Sequence, residues 1–175
     1  MWWKDLIRFS HGLIWIAVAY KWADWKNWHK YYSTFLFFAI GDLIYNFVFS
    51  DKILWQFQSG IVTKEMTELF VISTMFGSTT LLFLSKYPEE GGIIKKAAYN
   101  FLWVCIYTFI EVIMTAIGLQ KHFDGWNMYW SIFHNCWQCP LLRLHYKRPL
   151  SAWLVAVIIL ILMMWLFDVP FLKPQ

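Results

Sequence analysis

Leu150-Ser-Ala-Trp-Leu-Val-Ala-Val-Ile-Ile-Leu-Ile-Leu-Met-Met-Trp-Leu-Phe167 holds no charged residue, and its one hydroxyl is at Ser151. A helix rises about 1.5 Å per residue and the hydrocarbon core of a bilayer is about 30 Å thick, so a run of this length and apolarity reads as a membrane-crossing helix. Four further stretches, residues 31–49, 66–84, 97–119 and 127–144, have similar length and are apolar enough to read the same way. The sequence therefore predicts an all-α, polytopic transmembrane bundle of five or six helices. It forms one integral membrane domain over residues 1–175, because the loops between the spans are all short.

Composition agrees. Hydrophobic residues make up 59% of the chain and charged residues 15%, against about a quarter charged in soluble domains. Aromatic residues reach 22%, with thirteen Trp. Trp and Tyr concentrate at the membrane–water boundary, where an apolar ring and a polar tip are both served. The run from Trp22 through Trp25 and Trp28 to Lys30, with Trp at every third position and Lys between, reads as such an interfacial girdle.

Residues 6–20 leave three readings open. The segment is short and carries Arg8 and His11, so it spans, lies flat in the interface, or serves as a cleaved signal. Aromatic Tyr20 and the Trp-rich continuation suit an anchor better than cleavage after Ala17-Val-Ala19. If the segment spans, one face receives Lys21, Lys26, Lys30, Lys86, Lys95, Lys96, Arg143, Lys147 and Arg148. The other receives Lys4, Arg8, Lys52, Lys64, Lys121 and Lys173. The positive-inside rule makes the richer face cytoplasmic, placing the loops after residues 20, 84 and 144 inside a cell membrane.

Polar residues fall in stripes inside the spans. Asp42, Asn46 and Ser50 are four apart; Ser73, Thr74, Gly77 and Ser78 permit close helix packing. Asn100, Thr108, Glu111, Thr115 and Gly118 line the third stretch, and Asn127, Ser131, His134, Asn135 and Gln138 the fourth. The simplest arrangement packs these four faces together and leaves 150–167 against lipid. An ionised carboxylate at mid-bilayer costs about 2.5–3.5 kcal/mol, so Asp42 and Glu111 are expected to be protonated, paired or wet. The candidate intramembrane site is Asp42, Asn46, Glu111, His134 and Asn135, with the two carboxylates as proton or cation carriers. The competing reading makes the same residues interhelical packing contacts.

Other chemistry is not indicated. His134, Cys136 and Cys139 fall short of a tetrahedral ligand set, with Cys105 on another helix, and no metal or cofactor is expected. No HExxH, GxSxG or phosphate-loop sequence is present, and Tyr87-Pro-Glu-Glu-Gly-Gly92 is a turn. Arg143, His145, Lys147 and Arg148 form a basic run expected to face anionic headgroups of the bilayer. A net charge of +4 tied to membrane flanks argues against nucleic-acid binding. The small-residue stripe at 73–78 would equally serve a second copy of the chain or another membrane protein.

Ile40-Gly-Asp42-Leu-Ile-Tyr45-Asn46, Thr79-Thr80 through Tyr87-Pro88, Trp103 through Glu111, Gly125-Trp126-Asn127 and Leu142-Arg143-Leu-His145-Tyr146-Lys147-Arg148-Pro149 give the chain a likeness to known sequences. It resembles an uncharacterised family of small multi-pass membrane proteins from spore-forming Gram-positive bacteria. The likeness runs from the second helix to the end of the chain. It implies a membrane location and a similar bundle, supports Asp42, Glu111, Asn135 and Arg143, and brings no activity, substrate or partner. The family is usually apolar where this chain has His134, Cys136, Gln138 and Cys139. The expected function is a small transporter or proton- or cation-handling protein; the alternative is a non-transporting structural or partner-binding membrane component.

Overall fold

The structure is a computed structural model that describes residues 2–170; Lys173 lies outside the described residues. Six long helices are joined by short connections: α1 Trp2–Trp22, α2 His29–Val48, α3 Lys64–Ser85, α4 Ile93–Ala116, α5 Met128–Lys147 and α6 Pro149–Leu166. The all-α expectation holds. Three of the six, α3, α4 and α6, are long and apolar enough to cross a membrane, rather than the five or six expected. The others fall short because polar residues dilute their windows, such as Lys4, Asp5, Arg8 and His11 on α1 and Ser131, His134, Asn135 and Gln138 on α5.

The polar residues of α1 are not scattered. Asp5, Arg8, Gly12, Trp15 and Ala19 follow helical spacing and are its buried residues, while Leu6, Ile7, Phe9, Leu13, Ile14 and Ile16 are exposed. This is the reverse of a water-soluble amphipathic helix. Residues 6–20 are thus part of a continuous helix packed on α3.

Gly12 sets that contact. A Cβ at this position would lie 2.7 Å from the Phe70 ring and 2.8 Å from Thr74 Oγ1, so the absence of a side chain lets the helices approach. Phe9 packs edge-on against the same ring with centroids 4.6 Å apart, which limits its retreat. Gly12→Ala is expected to cost about 1–3 kcal/mol, read as a lower thermal midpoint in detergent. Residues Ile72–Phe76 of α3, beside this crossing, form a π-helical turn, a widening often found at functional positions.

Two short strands absent from the sequence reading close one end. β1 Trp55–Phe57 pairs antiparallel with β2 Gln120–His122, matching Trp55 to His122 and Phe57 to Gln120. The start of α1 is fastened to this ribbon. Lys4 Nζ donates to the Gly118 carbonyl at 3.0 Å, and Arg8 Nη2 to the carbonyls of Gln58 at 2.8 Å and Leu119 at 3.0 Å. Phe167 and Val169 pack with Leu54 and Trp126 at the same end. At the opposite end, the turn after α3 meets α5 through Glu89, which pairs with Arg143 and lies 3.8 Å from Lys147 Nζ.

Asp5 accepts the backbone N–H groups of Gly60 at 3.0 Å, Ile61 at 2.6 Å and Val62 at 3.4 Å. These bonds, Ile61's foremost, hold its carboxyl below the ordinary value of 3.8 against the opposing effect of burial. A native value below the unfolded one stabilises the fold above about pH 4, and the contribution is lost as pH falls through the native value. The thermal midpoint of wild type should therefore drop more steeply on acidification below about pH 4 than that of Asp5→Asn, in melts of both proteins at stepped pH.

The four polar stripes do not simply face one another. Ser50 and Ser73 are exposed, and Ser73 Oγ donates back to its own helix at the Leu69 carbonyl, 2.6 Å away. Ser78, Thr79 and Thr80 are buried, as are Ser131, Asn135 and Gln138. In α6, 11% of the apolar window is buried, in keeping with its expected outward position, yet its inner edge walls an interior space.

Candidate functional site

Between the helices lies a chamber of about 260 Å³, with walls drawn from all six helices and both strands. Asp42, Glu111, His134 and Asn135 all line it. Asn46 does not; it stands one turn behind Asp42, and its Nδ2 donates to Asp42 Oδ2 at 3.2 Å and to the Asp42 carbonyl at 3.1 Å. The structure thus brings four of the five residues to one space and makes the fifth a support.

The two carboxylates have different surroundings. Glu111 Oε1 accepts from Ser131 Oγ at 2.5 Å and Gln120 Nε2 at 3.0 Å, and lies 2.7 Å from His122 Nε2. It joins α4 to the start of α5 and to β2. Ser131 also accepts from Trp126 Nε1 at 2.8 Å, extending the network to the α4–α5 loop. Asp42 has Asn46 as its one side-chain partner and otherwise faces the chamber. Glu111 is a braced structural carboxylate, and Asp42 is the one available to a bound molecule.

The rest of the wall is mainly aromatic and aliphatic. The Tyr45 ring stacks on Trp55 with centroids 3.7 Å apart and planes 5° from parallel, and Trp55 meets Trp126 at 4.6 Å. The Tyr45 hydroxyl donates to the Trp55 carbonyl at 2.8 Å and accepts from the N–H groups of Leu54 and Trp55 at 3.0 and 2.8 Å. His134 sits 5.5 Å from Trp55 and 4.3 Å from Trp137, ring to ring.

Two buried polar groups in the wall lack partners. Asn135 is 5% exposed and its Nδ2 has no hydrogen bond; Arg8 is 7% exposed and its Nη1 has none. A buried donor left unsatisfied costs about 1–3 kcal/mol, so such groups in a cavity wall point to an occupant, water or solute.

Sequence reading missed several of these groups. The sequence reading takes Arg8 as an obstacle to spanning and as a flanking charge, though its spacing from Asp5 and Gly12 places all three on one helical face. Glu68, buried on α3, stands in the electrostatic field of Asp42 and Arg8; its place one turn into an amphipathic helix start was the available signal. Tyr45, three residues beyond Asp42, shares its face. His122 gave no signal, because its role depends on a strand pairing of three residues.

The basic run divides. His145 is 4% exposed, stacks on Phe37 at 4.3 Å and has Nδ1 3.0 Å from Thr34 Oγ1, so it does not face headgroups. At about 100° per residue it points away from Arg143 and Lys147, which share a face. Arg143 pairs with Glu89 and lies over the rings of Tyr87 at 4.8 Å and Tyr146 at 5.2 Å; only Lys147 and Arg148 are exposed. Among the described residues no cluster of three or more His, Cys, Asp and Glu is arranged to hold a metal ion. The chain matches no family model, curated protein or solved structure.

Proposed function

We propose that this chain is a multi-pass membrane protein of six crossing helices whose chamber binds a small solute and passes it between the two faces. The observation that carries the reading is the chamber itself: walled by residues of all six helices, lined by Asp42, and bordered by buried donors without partners. The outward apolar faces of α1, α4 and α6 support a bilayer as the surrounding medium. The Lys and Arg excess at the end away from the ribbon supports placing the loops after α1, α3 and α5 in the cytoplasm, in a cell membrane. Kinship with the small multi-pass proteins of spore-forming bacteria belongs to the same proposal and rests on the Asp42–Asn46, Trp103–Glu111 and Leu142–Pro149 segments.

One observation favours the alternative, a non-transporting scaffold: Glu111 Oε1 joins α4, α5 and β2. That role is assigned to Glu111 alone here, and Asp42 is left as the functional carboxylate.

Ala156 lines the chamber from the inner edge of the mostly exposed α6 and packs against the core, so Ala156→Trp fills the space at an overpacking cost of about 1–3 kcal/mol. Wild type in lipid nanodiscs should bind at least one member of a panel of small ring-bearing cations, neutrals and anions, followed by quenching of the chamber tryptophans. Binding should vanish in Ala156→Trp. A panel bound by neither protein, or by both alike, would contradict the chamber reading.

A further inference from the structure

We infer that the chamber's ligand is a small organic cation carrying an apolar ring or alkyl body, held by the Asp42 carboxylate against the Tyr45–Trp55–Trp126 aromatic wall. The inference rests on the chamber reading above and adds the charge and class of what is bound.

Three observations carry it. First, the aromatic wall is fixed by bonds directed away from the chamber. The Tyr45 hydroxyl is occupied by three backbone groups of residues 54 and 55, and Trp126 Nε1 by Ser131. What these rings have left to offer a ligand is their π surface, which attracts cations. Second, Asp42 stands one helical turn from Tyr45 and has a single neutral partner, Asn46. It is the acidic side chain in the wall with no basic side chain bonded to it, whereas Glu111 Oε1 lies 2.7 Å from His122 Nε2.

Third, the permanent cation of the wall, Arg8, is directed by its Nη2 to the ribbon end. Arg8 is held to the carbonyls of Gln58 and Leu119 at the ribbon end, and the carboxylates of Asp5 and Glu68 act on it. An anionic solute entering the chamber would meet the carboxyl groups of Asp42 and Glu111, with Arg8 as the one arginine or lysine in the wall. A neutral solute would leave Asp42 desolvated beside it. A cation satisfies the carboxylate and the aromatic faces together.

The test uses three molecules of one shape: benzyltrimethylammonium, its uncharged carbon analogue neopentylbenzene, and the anion benzylsulfonate. Each is titrated into the full chain in nanodiscs, and binding is scored as signal lost in Ala156→Trp. The cation should bind about tenfold or more tightly than either competitor. That preference should disappear in Asp42→Asn and survive in Asp42→Glu. If Asp42→Asn does not fold, the ranking on wild type and Asp42→Glu decides. Equal or tighter binding of the neutral or anionic analogue would overturn the cation assignment and leave the chamber reading standing. If none of the three gives a signal that Ala156→Trp removes, the chamber reading fails with it.

Discussion

In liposomes containing the purified protein, Asp42→Asn should lower flux of the transported solute about tenfold or more while leaving the thermal midpoint nearly unchanged. The two halves of this expectation have separate causes. Stability survives because an Asn side-chain oxygen can still accept from Asn46 Nδ2, the one side-chain bond Asp42 makes. No ion pair within the protein is broken, so the large penalty for orphaning a buried partner does not arise. Flux falls because the charge facing the chamber is gone, and a charge-assisted contact is worth about 1.5–3 kcal/mol, or more than tenfold in affinity. A variant that loses stability and flux in step would instead make Asp42 a packing residue.

Glu111 should behave in the opposite way. Glu111→Ala is expected to destabilise the protein by about 3 kcal/mol, because it leaves Ser131 Oγ, Gln120 Nε2 and His122 Nε2 without their common acceptor. Glu111→Gln retains an acceptor oxygen for those donors and should cost about 1 kcal/mol. The network ties α4 to β2 and to the first turn of α5, so the alanine variant should also expose the ribbon to faster amide exchange at residues 55–57 and 120–122. Chemical unfolding in mixed micelles separates the variants. Equal stability of Glu111→Ala and wild type would remove the bracing role and return Glu111 to the list of residues that contact solute.

The contrast between these carboxylates was only half legible in the sequence. Helical spacing placed Asp42 and Asn46 on one stripe, and they are bonded as that spacing allows. It also picked out Glu111 as anomalous within an apolar stretch. It could not tell that Glu111 is satisfied by Gln120 and His122, because these lie on a strand of three residues whose pairing with 55–57 has no periodic signature. Five apolar stretches mark five of the six helices to within a few residues, since hydropathy is a long-range average, and residues 6–20, with three readings open, fall inside the remaining helix. The same average hid the inner face of α1, where Asp5, Arg8 and Gly12 point inward and lower the mean. His145 was misplaced for a related reason. Four basic residues adjacent in sequence are not adjacent on a helix, and at Met128–Lys147 the two faces of α5 separate Arg143 from His145. The chamber itself was beyond sequence reading, because a cavity arises from what six helices fail to fill together.

Water and solute are expected to reach the interior at Asn135, which lines the chamber. Thiol labelling of Asn135→Cys reads this access, in a chain with Cys105, Cys136 and Cys139 replaced by Ala and with a membrane-impermeant reagent on intact proteoliposomes. Labelling from at least one side of the membrane, suppressed when Ala156→Trp is added, is the expected result. Absence of labelling from both sides, with full labelling after denaturation, would show a dry interior and overturn the chamber as a solute site.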